Sequence, residues 1–595
     1  MEVKERIAAL RDVMRAHGWD AVLFLSGDPH QNEYLPEYYK SRAWISGFTG
    51  SAGTVVITQD HGGLWTDARY FLQADQQLVG SGVELHKLQV QGAPEYGEWL
   101  AAHLPAGAVV CCDGNTISVG AADALRGIFA EKKIRLSTDS DPVDTLWKDR
   151  PAKGSSTVFD LPVKYAGVSR TDKINKIRSQ VQSAGATHYL VTALDDIAWL
   201  LNLRGQDIQC NPVFLSYVLI QPESVVFFVD DSRISAEILR ELDTQGIHTQ
   251  RYEGVKAFLS SLTSDDAVMI NPGSLSETLS RSLSHTRVIA ADSLIKHAKS
   301  IKNETEQKWI REAMIKDGVA LTKFFIWLEK ELAAGHTPAE YDLAQQLMVC
   351  RGTQSDYIGE SFDAIVGYRG NGAIIHYKPE QETAAQVRPG GVLLVDSGGQ
   401  YLDGTTDITR TITLGDPTAH EIHMNTLVLK GHIGLAMARF PEGTRGVQLD
   451  ILARQALWQE GYNYLHGTGH GVGFFLNVHE PPQGFVNTLV ERGTTPMAAG
   501  QLSSNEPGYY EKDAFGIRIE NLVLCQLERE TEFGKFYHFE TVTLFPIDKA
   551  LIDKGLLSPA ELQWLNDYHQ RVYERLSPGL DMEEQNWLKD KCNAL

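Results

Sequence analysis

The sequence predicts an α/β and α+β chain, with two related N-terminal α/β domains followed by a larger C-terminal domain of mixed character. Three observations carry this expectation. The 595 residues exceed what a single hydrophobic core holds. A helix–strand–hairpin order near the N-terminus recurs after residue 170. Beyond Asn303 the composition changes, and glycine, histidine and aspartate become dense between residues 367 and 520.

In the first domain, Ile7, Leu10, Val13 and Met14 mark an amphipathic helix, and Ala21–Leu25 an apolar strand. Thr54–Thr58 and Gly63–Thr66 flank the turn signal Asp60-His61-Gly62-Gly63 and read as a hairpin. The second domain repeats the order: a helix from Thr171 to about Ser183, a strand at His188–Thr192, a helix at Asp196–Leu203, then strands at Leu215–Ile220 and Ser224–Val229. The hairpin ends match as well, Trp65-Thr66-Asp67-Ala68-Arg69 paralleling Phe228-Val229-Asp230-Asp231-Ser232-Arg233. The polar stretch Arg150–Ser156 supplies a linker. A long helix begins at Glu304, with Trp309, Ile310, Ala313, Val319, Ala320 and Phe324 on its apolar face. The expected domains are therefore 1–153, 154–302 and 303–595, the last with a C-terminal extension from about 548.

At 43% hydrophobic and 22% charged, the chain is an ordinary globular protein and not a disordered one. Its net charge of −21 repels phosphate backbones and anionic lipid, so neither nucleic acid nor a membrane surface is an expected partner. No apolar run of about 18 residues occurs, and the charged first ten residues lack the continuous apolar core expected of a leader peptide. Six cysteines without a CxxC pair fit a reducing compartment, and a cytoplasmic location is expected.

The chemistry concentrates in the third domain. The apolar strand Leu393–Val395 ends in Asp396, and Asp407 follows in Tyr401-Leu402-Asp403-Gly404-Thr405-Thr406-Asp407; two β segments joined by a glycine-containing turn bring these carboxylates together. His470 stands in the glycine-rich His466-Gly467-Thr468-Gly469-His470-Gly471, and Glu506 and Glu520 each sit in a β-rich setting. Alone, Asp396 or Asp407 would read as a turn-capping residue. Together, four carboxylates without cations would repel one another and take up protons, whereas two divalent ions would keep all four ionised. Oxygen-dominated ligation favours Mn²⁺, with Co²⁺ or Zn²⁺ as alternatives. Gly50-Ser51-Ala52-Gly53 lacks the lysine of a phosphate loop and reads as the lead into a strand.

On these residues the sequence resembles the pita-bread metallopeptidases, and within them the long, three-domain Xaa-Pro aminopeptidases (aminopeptidase P). The resemblance takes in Ser46–Gly53 and Leu64–Arg69 of the first domain, and Ile197–Gly205 and Asn211–Phe214 of the second. It implies a pita-bread catalytic domain and a metal set of Asp396, Asp407, His470, Glu506 and Glu520. It also implies cleavage of the bond before a proline in second position, by a hydroxide bridging the two metals, with Glu506 shuttling the proton. His376, His466 and His479 would act around the substrate, with His376 and His479 lining the proline pocket. Read singly, His376 and His479 are more ordinary structural histidines; their position relative to the ligands lifts them. Arg518 would orient a metal-bound carboxylate. The family further implies a homodimer. Alternatives are a prolidase acting on Xaa-Pro dipeptides, disfavoured by the second α/β domain, and a non-catalytic peptide- or protein-binding module, disfavoured by five occupied ligand positions.

Overall fold

Alternating apolar side chains bury both faces of a first six-stranded sheet in the computed structural model, which describes residues 1–88 and 93–595. Val22, Phe24, Val55, Ile57 and Leu64 pack on one face, against Ile7, Leu10 and Met14 of the helix Val3–His17. Ala21, Leu23, Val56 and Trp65 pack on the other, against Leu100, Ala122 and Leu125. Numbered in chain order, its strands are Ala21–Phe24, Thr54–Thr58, Gly62–Thr66, Glu84–Lys87, Val109–Cys112 and Arg135–Ser137, and they lie in the order 4-3-2-1-5-6. The hairpin read from the sequence is present, with Thr54 opposite Trp65.

The second sheet has the same order. Its strands are His188–Val191, Tyr217–Ile220, Val225–Phe228, Ile247–Gln250, Ala267–Ile270 and Arg287–Ala290. The helix expected at Asp196–Leu203 runs two residues earlier, Leu194–Leu201, because Asn202 takes a left-handed conformation (φ 51°) that closes it. Leu203 joins a short strand, Leu203–Arg204, paired with Phe159–Asp160. Contacts join the two sheets' helical layers: the Val119 N–H donates to the Leu275 carbonyl at 2.9 Å, and the Glu277 N–H to that of Ile117 at 2.9 Å. Met1–Leu161 and Val168–Ile295 accordingly form one compact unit.

Pro162–Gly167 and Lys296–Leu595 form the other. Its 30-residue helix Glu304–Ala333 starts at a capping box, in which the Asn303 side chain accepts from Thr305 and Glu306 while Glu306 accepts from the Asn303 N–H. Two sheets carry the chemistry of this unit. A three-stranded sheet pairs Ile365–Tyr368, Val392–Ser397 and Ile408–Thr413. A six-stranded sheet orders Arg439–Pro441, Gly534–Thr541, Asn521–Thr531, Leu502–Asn505, Gly469–Gly471 and Glu480–Phe485. The C-terminal helices Pro559–Leu576 and Met582–Cys592 bury Leu565, Tyr568, Val572, Leu576 and Leu588 in one cluster with Val428, Ile517 and Ile519. Among the described residues, no helix is long and apolar enough to cross a membrane.

Candidate metal centre

Strand pairing sets the first carboxylate. Antiparallel register places Asp396 opposite Thr409, and Asp407 immediately precedes that partner strand. The Glu520 N–H donates to the Thr409 carbonyl at 3.1 Å, which ties the three-stranded sheet to the six-stranded one at the level of both residues. His470 lies on Gly469–Gly471, and the strand Leu502–Asn505 beside it delivers Glu506, whose N–H donates to Thr468 at 2.8 Å. The two glycines flanking His470 are required by this crowding. A Cβ on Gly469 would stand 2.0 Å from the Ser504 carbonyl oxygen, and one on Gly471 2.2 Å from that of Glu480.

The five residues converge. Ligand atoms of Asp407, His470 and Glu520 lie within 4.8 Å of one another, and all three residues are buried. His470 Nε2 is 3.4 Å from Asp407 Oδ2 and 3.4 Å from Glu506 Oε1. His470 Nδ1 contacts the Gly471 carbonyl at 2.9 Å; a carbonyl only accepts, so Nδ1 carries the proton and Nε2 turns its lone pair toward two carboxylates. Asp396 Oδ1 is buried without a hydrogen-bond partner. Such an arrangement fits divalent cations, since each of these atoms is an electron-pair donor aimed at other donors.

The electrostatics agree. Burial, then the charge of Asp396, raises Glu506 to about 7 against the opposing pull of Arg518. Burial and then Asp396 and Glu506 hold Asp407 well above the usual carboxylate range; Glu520 is raised likewise, by burial, Asp407 and Glu506. Without cations the group must hold protons; with them it can ionise.

Neighbouring side chains fix each carboxylate. Arg518 donates to Asp396 Oδ2 from Nη2 at 2.5 Å and from Nε at 3.2 Å. Thr409 Oγ1 donates to Glu520 Oε2 at 2.7 Å, and Ser504 Oγ to Glu506 Oε1 at 3.0 Å. Of the three further histidines, His479 packs its ring against that of His470 at 4.3 Å, and its charge favours ionised Glu506. His466 contacts the Gly467 carbonyl through Nδ1 at 2.8 Å, and its Nε2 accepts from the Tyr510 hydroxyl at 2.9 Å. Tyr510 in turn accepts from Arg518 Nη1 at 2.8 Å, so a chain of hydrogen bonds runs from His466 to Asp396. His376 is half-buried beside Ile375, whose carbonyl accepts from Arg518 Nη2 at 3.4 Å.

Tyr510, Thr409 and Ser504 escaped the sequence reading. Thr409 could have been found from the strand alternation that places it two residues past Asp407, and Ser504 from its place two residues before Glu506. Tyr510 has no such signal, because its partners come from separate segments.

A buried, oxygen-rich ligand cluster on paired sheets makes this a metal centre, and comparison with known proteins gives its class, a metallopeptidase. The model of metallopeptidase family M24 matches residues 308–526, and that of the C-terminal region of peptidase M24 matches 535–595. The creatinase/prolidase N-terminal domain matches twice, at residues 6–144 and 149–306. Aminopeptidase P2 of Arabidopsis thaliana is 40% identical over 100% of this chain and 89% of its own length, and Xaa-Pro aminopeptidase 1 of Dictyostelium discoideum is 40% identical over 100% and 97%. The crystal structure of X-prolyl aminopeptidase from Caenorhabditis elegans, a cytosolic enzyme with a di-nuclear active site, superposes with a TM-score of 0.96 at 33% identity, covering 100% of both chains. Xaa-Pro dipeptidase from Bacillus anthracis shares the fold over 64% of this chain and 99% of its own, at a TM-score of 0.50 and 21% identity. The chain belongs to the Xaa-Pro aminopeptidase (aminopeptidase P) family of M24 metallopeptidases, with the pita-bread catalytic fold behind two creatinase-type domains.

Proposed function

We propose that this protein is a dinuclear metallo-aminopeptidase that removes the N-terminal residue from peptides with proline in second position. The observation that carries the chemistry is the convergence of Asp407, Glu506 and Glu520 on the single imidazole of His470, with the buried Asp396 Oδ1 unpartnered. The substrate class rests on full-length similarity to Xaa-Pro aminopeptidases. In this reading Asp396, Asp407, His470, Glu506 and Glu520 hold two divalent ions, Mn²⁺ being favoured by the oxygen donors. The ions would supply an activated water and a Lewis acid for the carbonyl before proline.

The chain's own residues then do the following. Glu506, set beside the cluster with its Oε1 held by Ser504, is placed to take a proton from the attacking water and pass it to the prolyl nitrogen, which cannot leave unprotonated. A tertiary amide offers no N–H, so the proline is read by shape, and His376 and His479 line its pocket. His466, held by Tyr510, contacts substrate, and Arg518 keeps Asp396 in its ligating rotamer. We further assign a homodimer, a cytoplasmic location consistent with six free thiols, and functional boundaries near residues 153 and 302.

The test is cleavage of Xaa-Pro-Xaa, Xaa-Pro and Met-Ala peptides by protein loaded with Mn²⁺, Co²⁺ or Zn²⁺, coupled to metal analysis. Release of the first residue from Xaa-Pro-Xaa is expected. Cleavage of the dipeptide alone would move the assignment to a prolidase, and no cleavage by metal-loaded protein would leave a binding module. Light scattering tests the dimer.

A further inference from the structure

A second group of ligating side chains lies far from the peptidase region in sequence, on the first six-stranded sheet. Parallel register sets Gly63 beside Glu84 and Trp65 beside His86. Alternation puts His61, two residues before Gly63, on the same face as Glu84 and His86. His61 closes the hairpin turn, and its backbone is fixed there: its N–H donates to Thr58 Oγ1 at 2.9 Å, and its carbonyl accepts from Arg11 Nη2 at 3.2 Å.

The two imidazoles point their Nε2 atoms at each other, 3.2 Å apart. Two nitrogens bound to one tetrahedral zinc at the usual bond length stand about 3.3 Å apart. A Glu84 carboxylate oxygen lies within 4.8 Å of the ligand atoms of both histidines, on an exposed side chain free to rotate inward. The space is kept open by Gly63, since a Cβ there would stand 2.9 Å from His61 Nε2 and 2.9 Å from His86 Cδ2. The rings are held by aromatic packing: His86 stacks on Trp65 at 3.9 Å with an interplanar angle of 8°, and His61 packs on Trp99 at 4.8 Å. Preorganised rings lose little freedom on binding.

We propose that His61, Glu84 and His86 form a binding site for one divalent transition-metal ion of borderline softness, zinc above all, with the fourth position left to water. Two imidazoles and one carboxylate make a donor set that selects Zn²⁺, Cu²⁺ or Ni²⁺, in contrast to the four-carboxylate cluster that suits Mn²⁺. The competing account is a neutral histidine pair sharing one hydrogen bond, which the same distance allows.

Metal uptake separates the two. Full-length protein, the His61→Gln/His86→Gln double variant and the Glu84→Gln variant are loaded with Mn²⁺, dialysed against equal concentrations of Zn²⁺, and their zinc and manganese per chain measured by plasma mass spectrometry. The unaltered protein is expected to retain one zinc per chain more than the double variant, with equal peptidase activity. Glu84→Gln, at an exposed position, is expected to bind that zinc about tenfold more weakly or worse. Zinc should also raise the thermal midpoint of the unaltered protein by more than that of the double variant, in which the peptidase centre alone takes it up. Equal zinc in the unaltered protein and a variant folded by circular dichroism would overturn the site and leave a hydrogen-bonded pair. Should the double variant fail to fold, unchanged zinc affinity in Glu84→Gln would overturn it equally.

Discussion

Arg518 offsets part of the charge of four acids, and the balance of the cluster is carried by protons or metal. That makes pH behaviour the sharpest residue-scale prediction. Burial and the neighbouring acids push Glu506 of the metal-free protein up to about 7 from an ordinary 4.5, and Asp407 and Glu520 are raised too. The folded state therefore favours the protonated forms. Their contribution to stability is complete below the ordinary carboxylate values and is lost as pH climbs through about 7. The thermal midpoint of chelator-treated protein should fall between pH 5 and pH 8, and excess Mn²⁺ should restore it most at the upper end. Glu506→Gln keeps the size and the Ser504 contact but removes the proton carrier and one ligating charge, so kcat on an Xaa-Pro-Xaa peptide at saturating Mn²⁺ should drop by about 10²–10⁴-fold, with no loss of thermal stability in chelator-treated protein. Arg518→Lys loses the two-point grip on Asp396; metal affinity should fall by about 10–100-fold, read by competition with a chelating dye. The acids and His470 were legible because their residue types and order carry chemistry by themselves. Tyr510 was not, since its role exists only once His466 and Arg518 are brought to its hydroxyl from different segments.

Elements position these residues through close backbone approach. Gly469→Ala would drive a methyl into the Ser504 carbonyl and move His470, so we expect loss of both metal uptake and activity, measured on protein that still gives a folded circular dichroism spectrum. The C-terminal helices matter in the same way. The Tyr568 hydroxyl accepts from Arg410 Nη2 at 2.9 Å, and Arg410 Nη1 donates to the Glu520 carbonyl at 2.6 Å. A hydrogen-bonded path thus leads from the last long helix to a ligand-bearing residue. Tyr568→Phe should cost about 1 kcal/mol of stability by denaturant unfolding. Deleting residues 548–595 strips Leu565, Tyr568, Val572, Leu576 and Leu588 from the core and should yield insoluble protein, read by the soluble fraction after expression. The sequence marks an extension from about 548, but what it packs against depends on Val428, Ile517 and Ile519, which lie far from it along the chain. The second-domain helix was misplaced by two residues because apolar periodicity continued through Leu203, while the stop signal was a single asparagine in a left-handed conformation.

At the scale of the whole chain, the −21 charge gains structure, because four of its carboxylates are gathered in one place to be matched by cations. Chelator dialysis should inactivate the protein, and titration with Mn²⁺ should restore activity with a break at two equivalents per chain. The repeated α/β order was readable because hairpin ends and helix starts recur. The shared 4-3-2-1-5-6 strand order emerged only from pairing between distant segments.

That shared order also creates a hazard during synthesis. Each sheet offers the other's strands a matching backbone frame, the arrangement for which exchange of a strand between copies is the expected route to misassembly. The side chains discourage the exchange. Where the first copy pairs Gly63 with Glu84 and Trp65 with His86, the second pairs Val225 with Ile247 and Phe227 with Thr249. A glycine gap facing charged and aromatic groups cannot accept the branched pair from the other copy without a void or a clash, so divergence between the copies acts as proofreading for correct assembly.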